Sequence, residues 1–297
     1  MGYVMDIKQI KTFVAVATLN SFTRAAEQLG YVQSSITSQI QLLEKELGIY
    51  LFERLGKKIS LTSAGEEFLI HSRQMINLWE KAKGSVAASE TPKGKLIIGA
   101  HESICAFLLP EIFREYKLRY PDVELVIKMG SWCEFESLLR ENQIDVAILI
   151  DRRLSAPEFV IDMERNEPFA LLASPDHPLI GRECVYAEDV AQYPLLMTGE
   201  GCSWRDLFQR ALENTSSTLH LMSEGGSIQT LKRFATFGLG VTLLPLFSAT
   251  DEIKSNQLKE LNFRGIDLNL MIQVVYHKDK WVSSALAAFL EICKEKW

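Results

Sequence analysis

The sequence predicts an α/β protein in two parts. A small helical N-terminal domain carries a basic hairpin and runs into one long helix; a larger region of alternating strands and helices follows. Three observations predict this. Apolar residues recur at helical spacing through the first 50 positions. Phe68, Ser72, Met75, Trp79, Ala82 and Val86 then stand at spacings of 4-3-4-3-4. Beyond Glu90-Thr91-Pro92-Lys93-Gly94, short apolar runs alternate with amphipathic stretches.

The elements follow in chain order. Ile7, Ile10, Phe13, Val14, Val16 and Ala17 mark a first helix over residues 6–18. Asn20-Ser21 breaks the pattern, and Ser21 is a suitable N-cap for a short helix over 22–29, which Gly30 ends. After Tyr31-Val32 a longer helix runs from Gln33 to Leu47 and stops at Gly48. Two helices joined by a turn of about four residues make a helix-turn-helix. Leu51–Leu61 is β-prone and basic, with Gly56-Lys57 as a hairpin tip, so it reads as a wing. Thr62 caps a long helix over Ser63–Ser89, a rod of roughly 37 Å at 1.5 Å per residue. Its seam of Phe68, Met75, Trp79, Ala82 and Val86 suits pairing with a second copy; packing on its own domain is the alternative.

The domain bounds are therefore 1–62 for the winged helix-turn-helix, 63–89 for the linker helix, 90–94 for a hinge and 95–297 for the α/β region. Within the last, strands at 95–100, 123–129 and 146–150 alternate with helices at 109–119 and 133–142, which requires right-handed crossovers and a mostly parallel sheet. A second set follows: strands at 169–174, 195–197, 219–223 and 241–244, with helices at 203–214 and 228–237. A strand at 270–277 and an amphipathic helix at 282–294 close the chain. One lobe comprises about 95–165 and 268–297, the other about 166–267. Ligands in such sheets sit beyond the carboxyl ends of strands, in the cleft between lobes.

Composition excludes several classes. With 47% hydrophobic and 24% charged residues the chain is ordinary for a globular protein. No run of about 18 apolar residues exists, so no transmembrane helix or membrane partner is expected. The apolar stretch Phe13–Leu19 is short and no Ala-x-Ala site follows, so it reads as a buried helix rather than a signal peptide, and a cytoplasmic location is expected. The five cysteines show no C-x-x-C spacing and read as small packed residues. Net charge is −6, yet residues 1–62 hold seven Lys/Arg against five acids, a balance of +2.

The second helix of the pair divides into two faces. Ile36, Ile40, Leu43 and Leu47 form an apolar stripe, while Gln33, Ser34, Ser35, Thr37, Ser38 and Gln41 project away. An ordinary solvated face would carry Glu and Lys. Glutamine can bond adenine with both amide atoms, and hydroxyls at a helix start suit phosphates. Double-stranded DNA is the expected partner.

The run SFTRAAEQLGYVQSSITSQIQLLEKELGIYLFERLGKKISLTSAGEEFL closely resembles the N-terminal domain of LysR-type transcriptional regulators, with matching landmarks that include Phe13, Ala25, Ala26, Gln33, Leu43, Glu44, Gly48, Phe52, Arg54, Thr62 and Gly65. GKLIIGA, LLPEIFREYKLRYPDVEL, IDVAILI and FGLGVTLLP resemble the family's effector domain, so the likeness spans the chain. The resemblance implies a winged helix-turn-helix, a dimerising linker helix and a two-lobed periplasmic-binding-protein-like effector domain. It also implies a bacterial regulator that is dimeric or tetrameric, binds near promoters with RNA polymerase as a further partner, and responds to a small metabolite. By position it implies DNA contacts from Gln33, Ser34, Ser35, Ser38 and Gln39, with Thr23 and Arg24 on the preceding helix and Arg54, Lys57 and Lys58 in the wing. Many members carry Arg or His where Ser38 stands, which moves readout toward Gln33, Gln39 or DNA shape.

For the effector, the resemblance implies Ser103 and Ile104 after the first strand, Gly130, Ser131 and Trp132 after the second, and Thr198 with Gly201, Cys202, Ser203, Trp204 and Arg205 in the second lobe. Ser227 is a further candidate. Helix starts near Ser203 and Ser227 could hold a carboxylate and Arg205 could pair with it, so a small organic anion is the expected effector. A surface or inter-lobe salt bridge is the alternative for Arg205. No cofactor, metal or catalytic residue is expected. Cys184 and Cys202 stand 18 positions apart, unlike a peroxide-sensing pair, and His101, Glu102 and His177 lack ligand spacing. No P-loop, G-x-S-x-G or H-E-x-x-H motif argues for an enzyme. A plain solute-binding protein fails on the helix-turn-helix and on the missing signal peptide.

Overall fold

The computed structural model describes residues 5–55, 58–86, 91–199, 202–213, 221–224, 226–265 and 268–297; of residues 54, 55, 58, 77, 80, 81, 83–86, 213, 223 and 224 it describes the backbone alone. The chain divides into two compact units, Met1–Ser89 and Glu90–Trp297.

The first unit holds α1 (Ile7–Leu19), α2 (Phe22–Leu29), α3 (Gln33–Leu47), the antiparallel hairpin β1 (Phe52–Leu55) and β2 (Lys58–Leu61), and α4 (Ser63–Val86). The helix starts follow from side-chain caps. Asp6 and Gln9 form a reciprocal capping box at α1, and Ser21 accepts from the Arg24 amide at α2. Asn20 leaves α1 in the left-handed region at φ 47°. One core joins all four helices: Phe13, Val16, Ala25, Ala26, Ile36, Ile40, Leu43 and Leu51 are buried together, with Phe68 of α4 packed against them. The small side chains of Ala25 and Ala26 let α2 lie close against its neighbours.

The hairpin is held to this core by backbone bonds. Glu44 on α3 accepts the Leu51 and Phe52 amides (2.8 and 3.2 Å). Thr62 caps α4 by accepting the Gly65 amide (2.9 Å) and donates to the Tyr50 carbonyl (2.8 Å). Gly65 sits where any Cβ would press into the Leu51 carbonyl oxygen. The first turn of α4 thus approaches the strand as closely as backbone allows.

The second unit carries two lobes. In the first, β3 (Gly94–Ala100), α5 (Glu102–Phe107), α6 (Leu109–Arg119), β4 (Val123–Met129), α7 (Trp132–Arg140), β5 (Val146–Asp151) and β6 (Phe159–Asn166) lead into the second lobe. That lobe comprises β7 (Phe169–Ala173), α8 (Ala187–Val190), β8 (Leu195–Met197), α9 (Ser203–Glu213), β9 (Leu221–Glu224), α10 (Ile228–Thr236), β10 (Thr242–Pro245), a 3-10 turn at Leu246–Ser248, α11 (Thr250–Lys254) and β11 (Lys259–Leu261). β12 (Met271–His277) and α12 (Ser284–Lys296) return to the first.

The first sheet has the order β4-β3-β5-β12-β6, with β12 antiparallel to both neighbours and β3 parallel to both of its own. In the second lobe β10-β7-β11 is antiparallel and β8-β9 parallel. Bonds between Leu196 and Val241 (2.9 Å) and between Val241 and Pro194 (2.9 Å) link these two pieces. The reversed strand of the first sheet, β12, is the one that returns from the second lobe.

The sequence-based boundaries hold within one or two residues for most elements. β6, α5, α8, α11 and β11 have no counterpart in the sequence reading. The expected tip Gly56-Lys57 and the last linker residues 87–89 lie outside the described residues. The sheet begins at Gly94 rather than Lys95, inside the expected hinge. Leu47, expected in the buried stripe of α3, is 37% exposed at the last position of the helix.

Gly65→Ala is expected to destabilise the first unit by about 2 kcal/mol, since the close approach is to backbone and cannot relax through a rotamer. Amide exchange in the full chain should show faster opening of α1–α4 with the α/β unit unchanged.

Candidate nucleic-acid interface and ligand cleft

In the first unit α3 presents the polar face that its sequence implies. Ile36, Ile40 and Leu43 are buried, while Gln33, Ser34, Ser38 and Gln41 are exposed and Ser35 and Thr37 lie at its flanks. Val32 precedes α3 and gives it no side-chain cap. Thr23 on α2 donates to the Gln33 Oε1 (3.2 Å). The Gln33 amide nitrogen is left as the outward group, suited to a purine N7 or O6 acceptor rather than to two-atom pairing with adenine. Thr23 thus positions Gln33, and Arg24 beside it is exposed.

Gln39 departs from expectation. It accepts a 2.6 Å bond from the buried Thr12 hydroxyl and so tethers α3 to α1 instead of facing outward. Thr37 bonds back to the Gln33 carbonyl within its own helix (3.0 Å). The side chains of Arg54, Lys57 and Lys58 lie outside the described residues; β1 and β2 place Arg54 opposite Ile59 and Lys58 opposite Leu55.

The long helix divides along its length. Phe68 packs on Phe13 with ring centroids 5.1 Å apart, and Ser72 is buried, so this part of the expected seam belongs to the core of its own unit. Further along, Met75 is half-buried and Ala82 exposed, while Leu78 (67%) and Trp79 (45%) lie open. The Val86 side chain is outside the described residues.

In the second unit a cleft of about 690 Å³ opens between the lobes. Its walls are the loops beyond the carboxyl ends of four strands. His101, Glu102 and Ser103 follow β3, and Gly130, Ser131 and Glu134 follow β4. Thr198, Gly199, Cys202 and Trp204 follow β8, and Gly226, Ser227 and Ile228 follow β9. Glu134 accepts from the Ser131 amide and hydroxyl (2.7 and 3.0 Å), which holds its carboxyl below the usual range. Its carboxylate lies so near Gly130 that a Cβ there would stand 2.7 Å from Oε2. Ser227 caps α10 by accepting the Thr230 amide (3.3 Å). Across the cleft, Glu102 accepts a long 3.4 Å bond from the Ile228 amide. His101 accepts the Ile150 amide at Nδ1 (3.2 Å), so its proton is on Nε2; burial lowers its pKa to about 4.

Of the expected effector residues, Ser103, Gly130, Ser131, Thr198, Cys202, Trp204 and Ser227 line this cleft, and Gly201 lies outside the described residues. Ile104 does not: it is wholly buried in the core of the first lobe. Trp132 packs edge-on against Phe159 (5.3 Å) on the other side of its helix start. Ser203 is not among the lining residues, and Arg205 is buried, with its Nη1 donating to the Thr198 carbonyl (2.8 Å). The expected clamp on a carboxylate is therefore a brace behind the Thr198 loop. His101, Glu102 and Glu134 were missed as lining residues. Glu134 was legible, since Ser131-x-x-Glu134 has capping-box spacing.

Burial disfavours the thiolate at Cys202, which lines the cleft, and at Cys105. Burial pushes the Cys202 pKa up to about 12 and the Cys105 pKa up to about 11, against thiolate chemistry. Among the described residues no cluster fits a metal ion, and no helix is long and apolar enough to cross a membrane.

His101 makes the second unit acid-sensitive. An unfolded imidazole takes its proton near 6.5, the folded one only near 4, so stability present above pH 6.5 is lost as pH falls toward 4. At pH 5 the loss from this group is about 2 kcal/mol relative to pH 7. Urea denaturation at both pH values should show that difference, and His101→Asn, which keeps an acceptor for the Ile150 amide, should reduce it.

Comparison with known proteins agrees with this architecture. Residues 7–66 match the model of the bacterial regulatory helix-turn-helix protein, lysR family, and residues 89–297 match the LysR substrate binding domain. The HTH-type transcriptional regulator YwqM of Bacillus subtilis is 36% identical, over 98% of this chain and 99% of its own length. YofA of the same organism is 32% identical over the same shares. Among solved structures, a full-length OxyR variant from Pseudomonas aeruginosa superposes with a TM-score of 0.81 at 23% identity, covering 98% of this chain and 95% of that one. ArgP from Mycobacterium tuberculosis gives 0.71 at 21%, covering 99% and 97%. CbnR in complex with its target DNA gives 0.63 at 22%, covering 99% and all of that chain. The chain belongs to the LysR family: it is a LysR-type DNA-binding transcriptional regulator with an effector-binding domain.

Proposed function

We propose that α3 enters the major groove by its N-terminal half, with Gln33, Ser34 and Ser38 at base edges and Arg24 and the wing lysines on the phosphates. The observation that carries this reading is the outward Gln/Ser face of α3 over a buried Ile36–Ile40–Leu43 stripe. A first unit of only +2 net charge over residues 1–62 gives one copy weak non-specific attraction, so two copies must act together. The open Leu78 and Trp79 on α4 supply a surface for that pairing. The related CbnR was solved on its target DNA, in keeping with this role. A small molecule in the cleft beyond β3, β4, β8 and β9 sets the regulatory state, and the chain acts in the cytoplasm at promoters with RNA polymerase.

Gln33→Ala is expected to relax sequence discrimination by about 10-fold, because one base contact is worth about 1–3 kcal/mol. Arg24→Ala should weaken all sequences alike and lower the slope of log affinity against log salt by about one unit. Fluorescence anisotropy on operator and random duplexes separates these; equal losses for both mutants on both duplexes would overturn the division of roles. Trp79→Asp is expected to shift the chain toward monomer in sedimentation, whereas Phe68→Asp should unfold the first unit instead.

A further inference from the structure

The cleft is chemically two-sided, and the sides differ in charge. On the first lobe, Glu102 and Glu134 face it, and the described lining residues include neither lysine nor arginine. His101 is neutral there, since its Nδ1 is committed to the Ile150 amide. On the second lobe, the Trp204 Nε1 is buried with no acceptor among the described residues, and an indole can only donate. Among the described residues the Thr198 hydroxyl meets no polar partner but the Cys202 thiol, and the Arg205 guanidinium donates to the Thr198 carbonyl. The Ser103 hydroxyl, at the start of α5 on the first lobe, is also buried and has no hydrogen-bond partner among the described residues. Unpartnered donors buried this deeply cost free energy until an acceptor meets them.

The start of α10 would ordinarily suit a ligand's anion, but the Glu102 carboxylate already lies there. At 3.4 Å that bond is long, so most of the carboxylate's pairing capacity remains for a cation. A plain organic anion placed in this cleft would face two carboxylates. We propose that the cleft takes a small zwitterion, an α-amino acid, with its ammonium group on Glu102 and Glu134 and its carboxylate on Trp204, Thr198 and Ser103. The assignment rests on the reading of the cleft as the effector site. It also ties the lobes together through one molecule: the ammonium sits on the first-lobe carboxylates, and the carboxylate reaches the second-lobe donors Trp204 and Thr198 as well as Ser103 of the first lobe.

Titration calorimetry of the full chain with the protein-building L-amino acids, one at a time, and with the 2-hydroxy acid matching each, tests this. The expected result is binding of at least one amino acid, its 2-hydroxy counterpart being weaker by about 10-fold or more, as loss of a charge-assisted pair requires. Glu102→Gln, which keeps the shape, should erase most of that difference. Tighter binding of the 2-hydroxy acids, or failure of every amino acid to bind, would overturn the zwitterion assignment. If 2-hydroxy acids bind and Trp204→Phe weakens them, the cleft stands as the effector site and the ammonium assignment alone fails. Binding that neither Glu102→Gln nor Trp204→Phe alters would place the ligand elsewhere and overturn both.

Discussion

The apolar stripe of α3 is the constraint on which the proposed mode of DNA recognition depends. Successive helix positions are about 100° apart, so fixing Ile36, Ile40 and Leu43 inward fixes the direction of every other side chain on that helix. Gln33, Ser34 and Ser38 face out because those three are buried. The rest of the first unit serves to hold this rotation. Thr12 grips Gln39, Glu44 grips the hairpin backbone, and the Thr62 cap with Gly65 presses α4 onto the strand beneath. None of these contacts needs DNA, so the reading face is assembled before the partner arrives, which lowers the ordering cost of binding.

The second unit uses a different device for the same end. Its two sheets send their strand ends toward one cleft, and the chain crosses between lobes at β6–β7 and again ahead of β12. These crossings are tied by the Glu167 amide to the Leu270 carbonyl (2.9 Å) and by the Leu246 amide to the Pro168 carbonyl (2.9 Å). Buried Gln273 reinforces the first lobe at this point by gripping the Asp151 and Arg152 carbonyls and the Leu154 amide.

Most of the fold was legible because period and capping agree along this chain. α6, β4 and β8 begin and end where their sequences say, since Pro110, Gly130 and the apolar runs bound them sharply. β6 was missed although Phe159, Ile161 and Met163 alternate with Asp162 and Glu164; the charged residues in the run masked a half-buried strand. The site was legible by loop rather than by side chain. Loops after β3, β4, β8 and β9 line the cleft as strand order requires, but the inward or outward sense of a loop residue depends on tertiary packing. Ile104, Trp132 and Arg205 turned into the protein, while His101, Glu102 and Glu134 turned toward the cleft. Gln39 was misread for the same reason: its partner, Thr12, is 27 positions away in sequence.

In the proposed mode of binding, the rotation of α3 selects which residues meet bases. Site-specific photocrosslinking on operator DNA tests it most directly, with a photoreactive side chain placed in turn at Ser34, Ser38 and Glu27. Crosslinks from Ser34 and Ser38 to bases in the major groove, with Glu27 on α2 giving none to bases, is the predicted result. Base crosslinks from Glu27 with Ser34 and Ser38 silent would mean that a different face meets the DNA, and the account would be wrong.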